Sequence, residues 1–175
     1  MLKDLQLVKP TLSHKARHLD MLREWEAYGG HIAPWAMTLH DLSYEDWLTF
    51  LKRGESKLTC KAGMVPGHLY LLMEGEELIG AIDIRMELND YLQKFGGHIG
   101  YGIRPSRQGM GYGKKQLALA LKLCKQEHGL DRLLITCNKD NRASAAVIIA
   151  NGGVHDGDVV DGDGKLVSRY WVTLP

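Results

Sequence analysis

Residues 104–114 read Arg104-Pro105-Ser106-Arg107-Gln108-Gly109-Met110-Gly111-Tyr112-Gly113-Lys114. Before this stretch, His98 to Ile103 is a short apolar run of strand character. After it, Lys114 to His128 puts Leu117, Ala120, Leu121 and Cys124 on one helical face, and Gly129 stands where a helix C-terminus favours glycine. Alternate glycines between a strand and a helix leave several backbone N–H groups free to converge on one point. The helix N-terminus adds the positive end of its dipole, so the turn suits a phosphate or pyrophosphate. Arg104, Arg107 and Lys114 are expected to add positive charge around it, and Pro105 biases Arg104 toward an extended conformation. Two common phosphate loops are excluded. Gln108 and Lys115 break the Walker pattern at its two ends, and Lys114 stands where a dinucleotide fingerprint needs its last glycine.

Working outward, Arg132 to Cys137 is a strand of buried type. Asn141 caps a shorter helix carrying Val147 and Ala150 and closed by Gly152-Gly153, and strands at Val154 to Val160 and Leu166 to Leu174 flank a turn at Asp161-Gly162. On the other side, His68 to Met73 and Leu78 to Met86, joined by Glu74-Gly75-Glu76-Glu77, predict an antiparallel hairpin. Leu5 to Lys9 is a strand that Pro10 stops. A first helix opens after Ser13 as its N-cap, with Ala16, Leu19, Leu22 and Trp25 at helical spacing as far as Gly29-Gly30. A second opens at Ser43, with Asp46 in capping-box position and Tyr44, Trp47, Leu48 and Leu51 as its stripe, and ends at Gly54. The order is strand, two helices, three strands, helix, strand, helix, two strands. That is an α/β (α+β) fold, a mixed sheet with helices packed on it.

The chain has 175 residues with no internal repeat or Pro/Ser-rich linker, so residues 1–175 read as a single domain. Lys plus Arg is 22 against 21 for Asp plus Glu, a formal charge of +1, which argues against a dedicated nucleic-acid binder. No apolar run approaches the roughly 20 residues of a membrane span, and residues 1–5 lack the apolar stretch of a signal peptide. Cys60, Cys124 and Cys137 are widely spaced and match no metal pattern, which predicts reduced thiols and a cytoplasmic location. No metal is expected. His14 and His18 have metal spacing but lack a third ligand. Asp156, Asp158, Asp161 and Asp163 resemble a calcium loop, but Val160 breaks its spacing and the closing Glu is missing.

The pattern that Gln108 to Gly113 does fit is [Gln/Arg]-x-x-Gly-x-[Gly/Ala]. With the strand His98-Ile99-Gly100-Tyr101-Gly102-Ile103-Arg104-Pro105 before it, and Asn138, Asn141, Ser144 and Gly152-Gly153 after it, the sequence resembles the GNAT superfamily of N-acetyltransferases. Val65-Pro66, Gly97 to Tyr101 and Arg169-Tyr170-Trp171 are similar to a bacterial branch of it. The resemblance covers nearly the whole chain. It implies a mostly antiparallel twisted sheet, splayed between its fourth and fifth strands, with helices on both faces. The implied activity is transfer of the acetyl group of acetyl-CoA to an amine on a small molecule or a peptide. The late strands offer a homodimer edge by analogy. A coenzyme A-binding regulatory module without turnover stays open as a second reading.

On this resemblance the pyrophosphate-binding residues are Gln108, Gly109, Met110, Gly111, Tyr112, Gly113 and Lys114, with Asn138, Asn141 and Ser144 bonding the pantetheine and adjacent groups. Asn141 serves equally as a plain helix cap. Gly100 and Gly102 are consistent with a bulge that frees the Ile103 amide to bond the acetyl carbonyl as an oxyanion donor. For the general base, His98 has a suitable pKa range and lies on the strand that walls the cleft in the family, though a surface or partly buried strand histidine reads the same way. Asp83 and Glu87 are the other candidates, set on one side with Arg85 by strand alternation. Many members carry a Tyr seven residues after the Asn that opens the last helix, and here that position is Ile148. Tyr101 and Tyr170 read as packing residues, and Trp25, Trp35 and Trp47 as core, with the second option of lining the acceptor cleft.

Overall fold

The computed structural model describes residues 4–175. Seven strands form one sheet: β1 (Leu5–Val8), β2 (Gly67–Glu74), β3 (Glu77–Arg85), β4 (Ile99–Ile103), β5 (Arg132–Asn138), β6 (Val154–Val160) and β7 (Leu166–Thr173). Their spatial order is β1-β2-β3-β4-β5-β7-β6. Every neighbouring pair is antiparallel except β4 with β5, which run parallel and meet in register only at Ile99 opposite Ile135 among the described residues. Beyond that point the two strands diverge and leave a gap in the sheet.

Helices α1 (Lys15–Tyr28) and α2 (Tyr44–Gly54) cover one face, where Met21, Trp25, Tyr44 and Trp47 pack on Leu69, Leu71 and Ala81. Helices α3 (Tyr112–His128) and α4 (Arg142–Ile149) cover the other, where Leu117, Leu121, Cys124 and Ile148 pack on Ile82, Ile84, Ile99, Leu133 and Ile135. Burying both faces at once accounts for the near-continuous apolar runs in β2, β3 and β5, which a sheet wetted on one side would not tolerate.

The helix signals act as sequence patterning predicts at α2, where the Ser43 hydroxyl accepts the Asp46 amide at 3.0 Å and donates to its carboxylate at 2.7 Å. They differ at α1. A single 3-10 turn, Leu12–His14, precedes the helix; Thr11 is the N-cap of that turn, where His14 Nδ1 accepts its amide at 3.1 Å, and the N-cap of α1 is His14 rather than Ser13. Between β3 and β4 a single π-helical turn, Leu92–Gly96, fills a stretch that sequence patterning leaves as polar loop.

The bulge expected at Gly100 and Gly102 is absent, since β3 and β4 pair without a register shift. These glycines serve a different close approach. A Cβ at Gly102 would lie 2.2 Å from the Ala33 carbonyl oxygen, and one at Gly100 would lie 3.5 Å from Pro34 Cβ and 3.2 Å from an Arg85 nitrogen. The segment linking α1 to α2 thus lies directly on the β4 backbone.

Candidate active site

The turn after β4 is a cradle of backbone amides. Pro105–Arg107 makes one 3-10 turn, and Gly109 (φ 72°) and Gly111 (φ 85°) occupy the left-handed region that favours glycine. A Cβ at either would meet nothing within 4 Å, so the turn is open on its outer side. Gly111 is the N-cap of α3, and the first amide of the helix to find a backbone acceptor is that of Lys115, on the Gly111 carbonyl. The amides from Gly109 to Lys114 have no acceptor among the described residues. Together with the dipole of a 17-residue helix they make a site for an anionic group. Gln108 ties the turn to the strand, its Nε2 donating to the Ile103 carbonyl at 3.0 Å. Met110 and Lys114 are exposed, whereas the Tyr112 side chain turns inward and donates to Glu74 at 2.6 Å, so only its backbone faces the turn.

Two of the three cations expected around this turn are already neutralised. Arg104 donates from Nε to Glu24 at 2.8 Å and pairs with Asp20 at 3.0 Å. Arg107 forms a fork on Glu77, with both bonds at 2.9 Å. Glu24 also accepts the Ser106 amide at 2.6 Å. Although its partial burial works the other way, the bonds from Arg104 and Ser106 hold the Glu24 carboxyl below the usual carboxylate range. The two arginines therefore fix the shape of the turn, and the positive potential comes from its backbone and from Lys114. Nothing local in the sequence marks Glu24, which lies 80 residues from Arg104.

Ile103 sits at the open end of the gap. Arg85 donates to the His98 carbonyl and the Arg104 amide to Ile79, so alternate residues 98, 100, 102 and 104 make the ladder with β3. Residues 99, 101 and 103 direct their amides toward β5, and only Ile99 has a partner strand there. The Ile103 amide thus points into the gap without needing a bulge.

His98 stands at the closed end. Its Nδ1 accepts the Leu134 amide at 2.9 Å while its own amide donates to the Leu134 carbonyl at 2.7 Å, so the imidazole replaces a strand carbonyl and joins β4 to β5. Burial lowers its pKa, keeping the ring neutral, with its lone pair already used.

Asp83 and Arg85 lie on the α1/α2 face, at the floor of a cavity of about 970 Å³. Its walls are α2 (Asp46, Phe50, Arg53), the segment from Thr59 to Val65, Trp35, and the stretch after β3 (Asn89, Tyr91, Leu92). Asp83 is 14% exposed and lies 3.2 Å from Arg85 Nε, while Arg85 also donates to the Gly96 and Gly97 carbonyls. Burial pushes the Asp83 carboxyl above the usual carboxylate range, against the pull of Arg85 and Lys9. Glu87 is displaced from this group; it lies beyond β3 and pairs with Lys57 at 3.0 Å. Trp25 and Trp47 are core, and Trp35, 55% exposed, lines the cavity.

Across the gap, Asn138 ends β5 in an exposed position, and Asn141 caps α4 by accepting the Ser144 amide at 3.0 Å. Ser144 is engaged further: its hydroxyl lies 2.8 Å from that of Tyr101, whose side chain reaches from β4 to α4. Burial pushes the Tyr101 phenol up to about 12, so it stays protonated. Tyr101 packs against the α3/α4 core as sequence patterning assigns it, with its polar tip on Ser144. Ile148 is fully buried in the core. The two metal-like patterns have other uses: His18 is buried against Tyr44 and Trp47, and Asp158 is held by Lys139, His155 and Ser168. No cluster of three metal-ligating side chains occurs among the described residues.

An amide cradle before a helix, beside a sheet parted at a parallel pair, is the arrangement the sequence resemblance implies. The family model described as "Acetyltransferase (GNAT) domain" matches residues 4–154. The chain belongs to the GNAT acetyltransferase family. Among solved structures, the GNAT fold of this chain is similar to RimL, a ribosomal L7/L12 alpha-N-protein acetyltransferase in complex with coenzyme A, with a TM-score of 0.69, 21% identity, and 98% of this chain and 95% of that one covered. A putative ribosomal-protein-serine acetyltransferase from Vibrio cholerae superimposes with a TM-score of 0.67 at 18% identity, covering 99% and 95%. The microcin self-immunity acetyltransferase MccE, in complex with acetyl-CoA and AMP, gives 0.69 at 14% identity, covering 98% and 93%. No curated protein matches the chain by sequence.

Proposed function

We propose that this GNAT chain works as one acetyltransferase domain that moves the acetyl group of acetyl-CoA onto a primary amine, of a small molecule or a peptide, by direct attack. The observation that carries this reading is the run of unpartnered amides from Gly109 to Lys114 beside the gap that receives the Ile103 amide. Bound acetyl-CoA supplies the acetyl group as a thioester. The cradle amides and Lys114 hold its pyrophosphate, with Asn138, Asn141 and Ser144 lining the far side of the gap. The Ile103 N–H stabilises the charge that develops on the carbonyl oxygen. The neutral amine nitrogen bonds to the carbonyl carbon, the carbon–sulfur bond breaks, and the proton that the nitrogen sheds as it becomes an amide passes to the sulfur, so the coenzyme leaves as a thiol.

An amine with pKa near 10 must lose a proton before it attacks. We assign that proton to Asp83, whose raised pKa makes it a stronger base than an exposed carboxylate. His98, whose lone pair faces Leu134, is assigned to holding β4 and β5 together. A thiol of pKa about 8.5 leaves without a dedicated acid, so Ile148 in place of Tyr is compatible with turnover. Reduced Cys60, Cys124 and Cys137 fit a cytoplasmic location, and the edge strand β6, with Val154 and Val160 exposed, is where a homodimer would pair.

Calorimetric titration with acetyl-CoA, with ATP and NAD as controls, followed by thiol release over an amine panel, tests the reading. Micromolar binding with silent controls and amine-dependent thiol release is expected. Binding without thiol release for any amine would turn the assignment to a coenzyme A-binding regulatory module, and no binding would remove the cofactor altogether.

A further inference from the structure

The charged groups around the cavity are unevenly placed. Five charged side chains line it: Asp46, Arg53, Lys61, Asp83 and Arg85. Two of them are occupied. The Asp46 carboxylate accepts the Ser43 hydroxyl at the α2 N-terminus, and Arg85 is spread over Asp83 and the carbonyls of Gly96 and Gly97. Asp83, 3.2 Å from Arg85 Nε, is the buried carboxylate of the set. Arg53, in the last turn of α2, and Lys61, in the segment facing it, are exposed, and among the described residues neither has a carboxylate partner. The same cavity is also lined by the apolar Phe50, Leu51, Val65 and Leu69.

We infer that the acceptor taken by this cavity is an amine bearing an anionic group, a carboxylate or a phosphate, at its opposite end: the amine goes to Asp83, the apolar middle crosses Phe50 and Leu69, and the anion meets Arg53 and Lys61. This rests on the amine-acetylation reading of the site and narrows its substrate class. A polyamine is disfavoured, because its second ammonium would arrive at two unpaired cations, and like charges in a partly enclosed cleft repel. An uncharged amine fills the cavity but leaves the cations without a partner.

The test uses the full chain and four molecules of matched length: aminohexanoate, aminohexyl phosphate, hexylamine and diaminohexane. Binding to the protein saturated with coenzyme A is measured calorimetrically, and thiol release from acetyl-CoA is measured in parallel. At least one anionic probe should bind about tenfold more tightly than hexylamine, with diaminohexane weakest, a gap of about 1.4 kcal/mol. The order of the two anionic probes tells carboxylate from phosphate. The double variant Arg53→Ala/Lys61→Ala should remove the preference while leaving acetyl-CoA affinity unchanged, and Arg53→Glu/Lys61→Glu should invert it toward diaminohexane. Equal binding of all four probes, or a preference that survives the double variant, overturns the inference even if thiol is released. The expected binding order without thiol release from these probes or from any amine of the panel supports the inference about the cavity and turns the site to a coenzyme A-binding module instead.

Discussion

The turn before α3 and the cavity under α2 lie on the two faces of the sheet, and they are built in opposite ways. The turn is contiguous: Gln108 to Lys114 present backbone amides, and the side chains near them mostly hold the backbone still. The cavity is assembled from separate segments, α2, residues 59–65, β2, β3 and the stretch after β3, and everything selective in it is a side chain. A backbone site depends on chain geometry more than on side-chain identity. A side-chain site can be rewritten one residue at a time without disturbing the fold, which is where acceptor choice can diverge.

The sharpest way to break this contrast is at Asp83. Asp83→Asn keeps the size and polarity of the floor but removes the base, so kcat should fall by about 10² to 10⁴ while acetyl-CoA affinity stays as it was. Wild-type rate should climb as pH rises through the Asp83 pKa, which burial sets above the ordinary carboxylate range, and the variant should lose that limb. A pH–rate profile and an acetyl-CoA titration on both proteins decide it. If the variant lost cofactor affinity instead, the two regions would not be separable.

Acid should loosen the acceptor side through His18. Its ring is fully buried against Trp47 (4.4 Å between centroids) and Tyr44, donates from Nε2 to the Met37 carbonyl at 2.9 Å, and is held neutral by burial with a pKa of about 4. The folded value lies below the unfolded value of about 6.5, so the folded state binds fewer protons. Stability is complete above pH 6.5, declines as pH falls toward 4, and the total loss from this group is about 3 kcal/mol. Urea unfolding across that window should show the decline, and His18→Phe should flatten it. A slope that His18→Phe leaves unchanged would place the acid-sensitive group elsewhere.

How far each region could be read in advance follows from the same difference. The element order, the Ser43 and Asn141 caps and the amide cradle were legible because each depends on residues within a few positions of one another. The 3-10 turn at Thr11 is as local, but its imidazole takes the place of the Glu or Gln side chain that marks a capping box in sequence. Gly100 and Gly102 read as a bulge, whereas they are there for the backbone of Ala33–Pro34, which lies far off in sequence. His98 looked like a base because its ring has the right pKa; only the register of β4 against β5 turns its Nδ1 onto Leu134. Arg104 and Arg107 looked like phosphate ligands until Glu24, Asp20 and Glu77 were placed beside them.

On the cofactor side, Gly111→Glu should weaken acetyl-CoA binding about 100-fold, or about 2.7 kcal/mol. Two effects add: a carboxylate set among the cradle amides competes with the pyrophosphate, and a residue other than glycine at φ 85° carries backbone strain. The new side chain meets no neighbour within 4 Å of its Cβ, so the thermal transition should persist with only a modest shift. A folded variant with unchanged affinity would show that the pyrophosphate does not sit on this turn.

The smallest effect is the most informative about how a backbone site is held. Glu24 reaches from α1 to the turn, where one oxygen takes the Ser106 amide and the other the Arg104 guanidinium, which is itself only 12% exposed. Glu24→Gln keeps an oxygen for the amide but loses the charge opposite Arg104. The freed guanidinium retains Asp20 at 3.0 Å and Leu78 at 3.2 Å, so the turn shifts rather than collapses. Acetyl-CoA affinity should fall about tenfold, near 1.4 kcal/mol, with kcat at saturating cofactor unchanged and the acceptor KM unmoved. Glu24→Asp, which keeps the charge on a shorter arm, should recover part of the loss. An equal fall in kcat would mean that α1 acts on the reacting groups directly. A rise in acceptor KM alone would mean that the link between α1 and the turn serves the cavity rather than the cradle.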